Sequence, residues 1–121
     1  MKDVPILVIE DNPDDVLIID RLLKKAGYSQ VTFAGDGEEG IRKTEEVRPA
    51  LVIVDTLLPD MNGFELCRRL RNCKGERFKI ILTTGSVDAV DAARARDAGA
   101  DDYVVKTEDF SLLIEAARQI L

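Results

Sequence analysis

Ala50-Leu51-Val52-Ile53-Val54-Asp55-Thr56-Leu57-Leu58-Pro59-Asp60-Met61-Asn62-Gly63 opens as a run of aliphatic and β-branched residues and stops on a carboxylate. With no polar residue to alternate with, the run reads as a strand buried on both faces, the kind found inside a parallel sheet. Pro59, Asp60, Asn62 and Gly63 make the turn that follows, because Pro fixes φ while Asn and Gly tolerate left-handed backbone. Asp55 therefore lies where a buried strand leaves the core. Its ionised form needs a cation or hydrogen-bond donors close by.

Working outward, shorter apolar runs at 5–9, 30–34, 78–83 and 102–105 give four more strands, the second of them more polar and expected near an edge. Helical patterns fill the gaps. Asn12 or Asp11 caps a helix that Pro13 begins, with Val16, Ile19, Leu23 and Ala26 at helical spacing and Gly27 closing it. Asp36 caps a second helix over 38–47, with Ile41 and Thr44 inward and with Gly37 and Gly40 weakening its propensity. Asn62 opens a third that buries Phe64, Cys67 and Leu70, followed by a polar loop at 74–77. A fourth, over 87–98, has a thin apolar stripe and closes at Gly99. Thr107 or Asp109 caps the last, with Leu112, Leu113, Ala116, Ala117 and Ile120 toward the core. Strict alternation of strand and helix implies an α/β protein: a three-layer, doubly wound (βα)5 parallel sheet.

At 121 residues, 45% hydrophobic and 33% charged, the chain reads as one globular domain, 1–121. No stretch is long and apolar enough to span a membrane, and the N-terminus lacks a signal peptide's apolar region, so the expected location is cytoplasmic. A net charge of -6 argues against this domain itself gripping a nucleic-acid backbone. Histidine is absent, which removes histidine bases, histidine metal ligands and any phosphohistidine-carrier role. Cys67 and Cys73 fit no disulfide framework and are expected reduced and structural.

In open α/β sheets, ligands bind beyond the carboxyl ends of the strands. There the first strand delivers Glu10 and Asp11, the third Asp55, the fourth Thr83 or Thr84, and the fifth Lys106. Asn12, Asp14 and Asp15 can serve the helix start, which leaves Glu10 and Asp11 for other work. An oxygen-only carboxylate group suits a hard cation, Mg²⁺ before Zn²⁺, and Mg²⁺ favours a phosphoryl ligand. Asp55 would be the nucleophile, with Lys106 and a Thr hydroxyl neutralising phosphoryl oxygens. Clustered carboxylates repel, so Asp11→Asn or Asp55→Asn is expected to stabilise the metal-free chain by about 1 kcal/mol.

The motifs Glu10-Asp11, Asp55 with Leu58-Pro59-Asp60-Met61-Asn62-Gly63, Thr84-Gly85, and Ala98-Gly99-Ala100-Asp101-Asp102-Tyr103 before Lys106 resemble those of a response-regulator receiver domain of two-component signalling, over essentially the whole chain. The resemblance implies a flavodoxin-like strand order 2-1-3-4-5. It implies that Asp55 accepts a phosphoryl group from a sensor histidine kinase or a histidine phosphotransfer protein. Mg²⁺ would be held by Asp11, Asp55 and the Leu57 backbone carbonyl, with Glu10 acting through water. Lys106 would contact the phosphoryl group, Thr84 would be the switch hydroxyl, and Tyr103 the aromatic coupled to it. The fourth helix, fifth strand and fifth helix would form the face read by a downstream effector or output domain, and a homodimer through that face is compatible. Such a domain catalyses only its own phosphorylation and dephosphorylation.

One departure stands out. Thr107 follows Lys106 where the family usually has a cis proline, so a trans or locally strained bond is expected there. It keeps open a receiver-like interaction domain that is never phosphorylated. A flavin or nucleotide module would need a phosphate-cradling loop after the first strand, where Glu10 and Asp11 repel phosphate. A phosphohydrolase with an Asp nucleophile would want a second carboxylate two residues on, where Leu57 stands.

Overall fold

A computed structural model describes residues 3–73, 78–85 and 89–121. The element order is β1 (Ile6–Ile9), α1 (Pro13–Lys25), β2 (Val31–Ala34), α2 (Gly37–Val47), β3 (Leu51–Asp55), α3 (Gly63–Arg71), β4 (Lys79–Thr84), α4 (Ala89–Asp97), β5 (Asp102–Val105) and α5 (Ser111–Ile120). The five strands are all parallel, in the order β2-β1-β3-β4-β5. β3 is central and every one of its residues is buried. The polar second strand is an edge, as its composition suggests.

Alternation along the strands divides the core in two. Leu7, Ile9, Val52, Val54, Ile80 and Leu82 pack with Phe64, Leu66, Cys67 and Leu70 of α3 and Ala95 of α4. Ile6, Val8, Leu51, Ile53 and Ile81 pack with Ile19 and Leu23 of α1 and Leu113, Ala116 and Ala117 of α5. Three layers result. The two glycines that weaken α2 are where it comes close to the rest of the chain. A Cβ at Gly40 would lie 2.4 Å from Ile9 Cδ1, and one at Gly37 would lie 2.6 Å from Met61 Sδ. Tertiary contact there overrides propensity.

Local signals end most helices as expected. Asn12, Asp36 and Asn62 cap α1, α2 and α3, and Gly27 and Gly99 take positive φ after α1 and α4. Several boundaries differ by a residue: β1 starts at Ile6, α2 at Gly37, and β4 runs from Lys79 to Thr84. The 74–77 loop and the start of the fourth helix at Val87 lie outside the described residues.

The last helix differs in kind. Its N-cap is neither Thr107 nor Asp109 but Phe110, in left-handed backbone at φ 55°. Phe110 is buried beside α1 and α5, and its N–H closes a turn onto the Thr107 carbonyl. Burying the ring offsets the backbone cost. Asp109 still serves the helix from one position earlier, accepting the Ser111 N–H at 3.1 Å. Of the five residues assigned to the core face of α5, Leu112 is instead 50% exposed and Ile120 only partly buried.

Candidate phosphoacceptor site

Parallel strands bring all their carboxyl ends to one edge, and β3, at the centre, ends on Asp55. β1 on one side runs into Glu10 and Asp11. On the other side β4 ends on Thr84, and β5 runs into Lys106, whose N–H donates to the Thr84 carbonyl at 2.7 Å. Residues from four segments meet at that edge.

Lys106 organises them. Its ammonium lies 2.6 Å from Glu10 Oε1, 2.8 Å from Asp55 Oδ2 and 3.2 Å from Asp15 Oδ2. The second oxygen of Asp55 accepts the Leu57 N–H at 3.1 Å, and the second oxygen of Glu10 accepts the Asn12 N–H at 3.1 Å. Glu10 and Asp55 are buried, and Asp11 is exposed beside them. Burial pushes the Glu10 carboxyl up to about 7, and Asp55 adds to the rise, while Lys106 and the Asn12 N–H oppose it. Burial alone would lower Lys106, but the hydrogen bonds it donates to the carboxylates of Asp55 and Glu10 reverse this and hold the ammonium above its ordinary pKa.

Glu10, Asp11 and Asp55 each present an oxygen within 4.8 Å of the others. With Asp15, four carboxylates stand near one ammonium, a surplus of negative charge. A group made only of carboxylate oxygens and short of positive charge fits a hard divalent cation. Sequence reasoning brought Glu10, Asp11, Asp55 and Lys106 to one place, and the structure gathers all four. It missed Asp15, which is a partner of Lys106 and not a spare helix cap; its place one helical turn beyond Asp11 was the available signal.

The two threonines separate by face. Thr83 is buried and its hydroxyl donates to the Val54 carbonyl at 3.4 Å, so it is spent inside the sheet. Thr84, two residues beyond Leu82, shares the sheet face of α3 and α4 with Tyr103. The Tyr103 ring packs on Phe64 at 6.1 Å between centroids, and the Arg94 guanidinium covers the other ring at 4.3 Å. Thr107 raises no obstacle, since no peptide bond among the described residues is cis and Lys106 reaches Asp55. Leu57 is 78% exposed at the rim. Cys67 is buried in the core, and neither it nor Cys73 is in a disulfide; burial pushes Cys67 up to about 11. Among the described residues no helix is long and apolar enough to cross a membrane.

Comparison with known proteins gives one consistent answer. Residues 6–118 match the family model of the response regulator receiver domain. The chain is 36% identical over 116 residues to the transcriptional regulatory protein AfsQ1 of Streptomyces coelicolor, covering 96% of this chain and 50% of that protein. It is 37% identical over 101 residues to the alkaline phosphatase synthesis transcriptional regulatory protein PhoP of Bacillus subtilis, covering 84% of this chain and 41% of that protein. It thus spans half or less of the length of these relatives. The response regulator TrrA of Thermotoga maritima, solved in complex with Mg²⁺–BeF, superposes with a TM-score of 0.86 at 33% identity over the full length of both chains.

Proposed function

The chain belongs to the response regulator receiver family, and from that premise we infer that Asp55 is its phosphoacceptor, loaded from the phospho-histidine of a sensor histidine kinase or a histidine phosphotransfer protein. The observation that carries the reading is the buried Asp55 carboxylate at the end of the central strand, 2.8 Å from the Lys106 ammonium and grouped with Glu10 and Asp11.

A carboxylate oxygen of Asp55 forms the new bond to phosphorus while the bond from phosphorus to the donor's nitrogen breaks and its electron pair leaves with the donor. Phosphoryl transfer asks mostly for alignment and charge neutralisation. Lys106 supplies a fixed positive charge beside the attacking oxygen. Thr84 offers a hydroxyl from the neighbouring strand end. The cation would be held by Asp11, Asp55 and the Leu57 carbonyl, with Glu10 acting through water; Mg²⁺ there would neutralise phosphoryl oxygens. In that role the domain catalyses only its own phosphorylation and dephosphorylation.

The relatives' names support a regulatory output, read by a downstream effector or output domain through α4, β5 and α5, where Thr84 and Tyr103 would couple the site to that face. The same face would serve a homodimer. The charge of -6 supports a receiver that leaves nucleic acid to another domain, and family membership supports a cytoplasmic setting. The rival reading, an interaction domain never phosphorylated, drew on Thr107, yet Lys106 makes its contact with Asp55 with Thr107 in place.

The test is incubation with Mg²⁺ and acetyl phosphate, then intact-protein mass measurement. The wild type gains one phosphoryl group and Asp55→Asn gains none. No gain on the wild type, or an equal gain on Asp55→Asn, overturns the assignment.

A further inference from the structure

Lys106 holds three carboxylates, and they are not equivalent. An ammonium has three N–H donors, and the contacts to Glu10, Asp55 and Asp15 at 2.6, 2.8 and 3.2 Å use one each. Glu10 and Asp55 belong to the group of oxygens that converge within 4.8 Å, and Asp15 does not. A divalent cation held in that group would draw on Asp55 directly and on Glu10 through water, and would repel the ammonium beside them. The contacts of Lys106 to Glu10 and Asp55 would weaken, and the contact to Asp15 would not.

We propose that Asp15 is the positioning residue that tethers Lys106 in that state. It takes up the ammonium as Glu10 and Asp55 turn to the cation, which eases cation binding and keeps the positive charge within reach of Asp55. The inference rests on the reading of the cation site given above. Without the cation, Asp15 is one of three carboxylates on the ammonium; with it, Asp15 would be the one of the three that the cation does not compete for.

Local structure suits this role. Asp15 stands in the first turn of α1, and the Asn12 side chain fixes that turn by accepting the N–H groups of Asp14 and Asp15 at 2.9 and 3.2 Å. Its side chain is 24% exposed, so water and salt screen its charge only in part. Asp14, its neighbour, is exposed and makes no ion pair among the described residues, which makes it a charge-matched control.

The experiment is calorimetric titration with Mg²⁺ of the wild type, Asp15→Asn, Lys106→Ala and the double variant. Asp15→Asn weakens Mg²⁺ binding about three- to tenfold, and in the Lys106→Ala background the same change has less than about a twofold effect. Asp15→Glu recovers most of the loss, and Asp14→Asn stays within about twofold of the wild type. If Asp15→Asn melts, Asp15→Gln, with its better helix propensity, carries the same expectations. An equal loss in both backgrounds would mean that Asp15 acts only as a charge near the cation, and the tether is refuted. So it is if affinity is unchanged in Asp15→Asn. A wild type that binds no Mg²⁺ overturns the cation site itself, a result separable from either of these.

Discussion

The Arg71 guanidinium and the Asp101 carboxylate, 30 residues apart in sequence, form an ion pair that fastens three elements at the edge of the sheet opposite the acidic site. Arg71, the last residue of α3, also donates to the Gly99 carbonyl at 2.8 Å and the Phe78 carbonyl at 2.6 Å. Asp101 accepts the Ile80 N–H at 2.8 Å. The pair therefore ties α3 to the start of β4 and to the turn that enters β5.

Arg71→Ala takes the guanidinium from the Gly99 and Phe78 carbonyls and from the Asp101 carboxylate, which keeps the Ile80 N–H, and should lower unfolding free energy by about 2 kcal/mol. Arg71→Lys should recover less than half of this, because an ammonium cannot reach three acceptors in a planar fork. Urea denaturation of the three proteins measures both. Equal stability of Arg71→Lys and wild type would show that charge alone matters here.

The sequence points to the layers and to the residues at the strand ends because these depend on strong patterns, and the strand order follows from the family resemblance. β3 is apolar throughout, and the Asn caps and closing glycines punctuate the helices. What it missed depends on side-chain reach across the fold. Leu112 and Leu113 are adjacent and equally apolar, and only the packed helix decides that Leu113 faces Ile81 and Val104. Asp15 looks like a helix-start residue until Lys106 arrives from 91 residues away. Phe110 becomes a cap because its ring is drawn into the core, a cause that no local propensity contains.

Removing carboxylates from the metal-free site separates two residues that repulsion alone would treat alike. Asp11 is exposed and pairs with no cation among the described residues, so Asp11→Asn should stabilise by about 1 kcal/mol. Asp55→Asn also relieves repulsion but takes a charged partner from Lys106, and should gain about 1 kcal/mol less. Melting temperatures in a chelator give the order. A larger rise for Asp55→Asn would mean that its contact with Lys106 contributes nothing.

Asp60 links the loop after β3 to the start of α2. Its carboxylate accepts the N–H groups of Gly37 and Glu38 at 2.8 and 3.0 Å. Slight desolvation raises its pKa, but those two N–H groups outweigh it and hold the carboxyl below its ordinary value of 3.8. A depressed folded-state pKa gives stability that is present above the unfolded value and lost as pH falls through the folded one. Solvent screens this exposed carboxylate, so Asp60→Asn should cost only about 0.5 kcal/mol at neutral pH. That difference from wild type should shrink below about pH 4. A pH-independent difference would assign the effect to shape and not to charge.

Gly63 and Gly85 flank the site and differ in tolerance. A Cβ at Gly63 would fall 2.4 Å from the Asp55 carbonyl oxygen and 2.8 Å from Thr56 Cα, both backbone, whereas one at Gly85 meets nothing within 4 Å. Gly63→Ala should cost about 2–3 kcal/mol and slow phosphorylation by acetyl phosphate. Gly85→Ala should stay within about 0.5 kcal/mol of wild type. Comparable stability for both would mean that α3 can slide away from β3.

The contact between Lys106 and Glu10 joins residues 96 positions apart, and this sets when the site comes into being. During synthesis the β1 and β3 carboxylates emerge long before β5, so a nascent chain carries the acidic group with no ammonium to balance it. Long-range closures of this kind form slowly and late. A cation held by Asp11 and Asp55, with Glu10 acting through water, would stand in for Lys106 during that interval, and refolding in its presence would then proceed with less charge repulsion at the centre of the sheet.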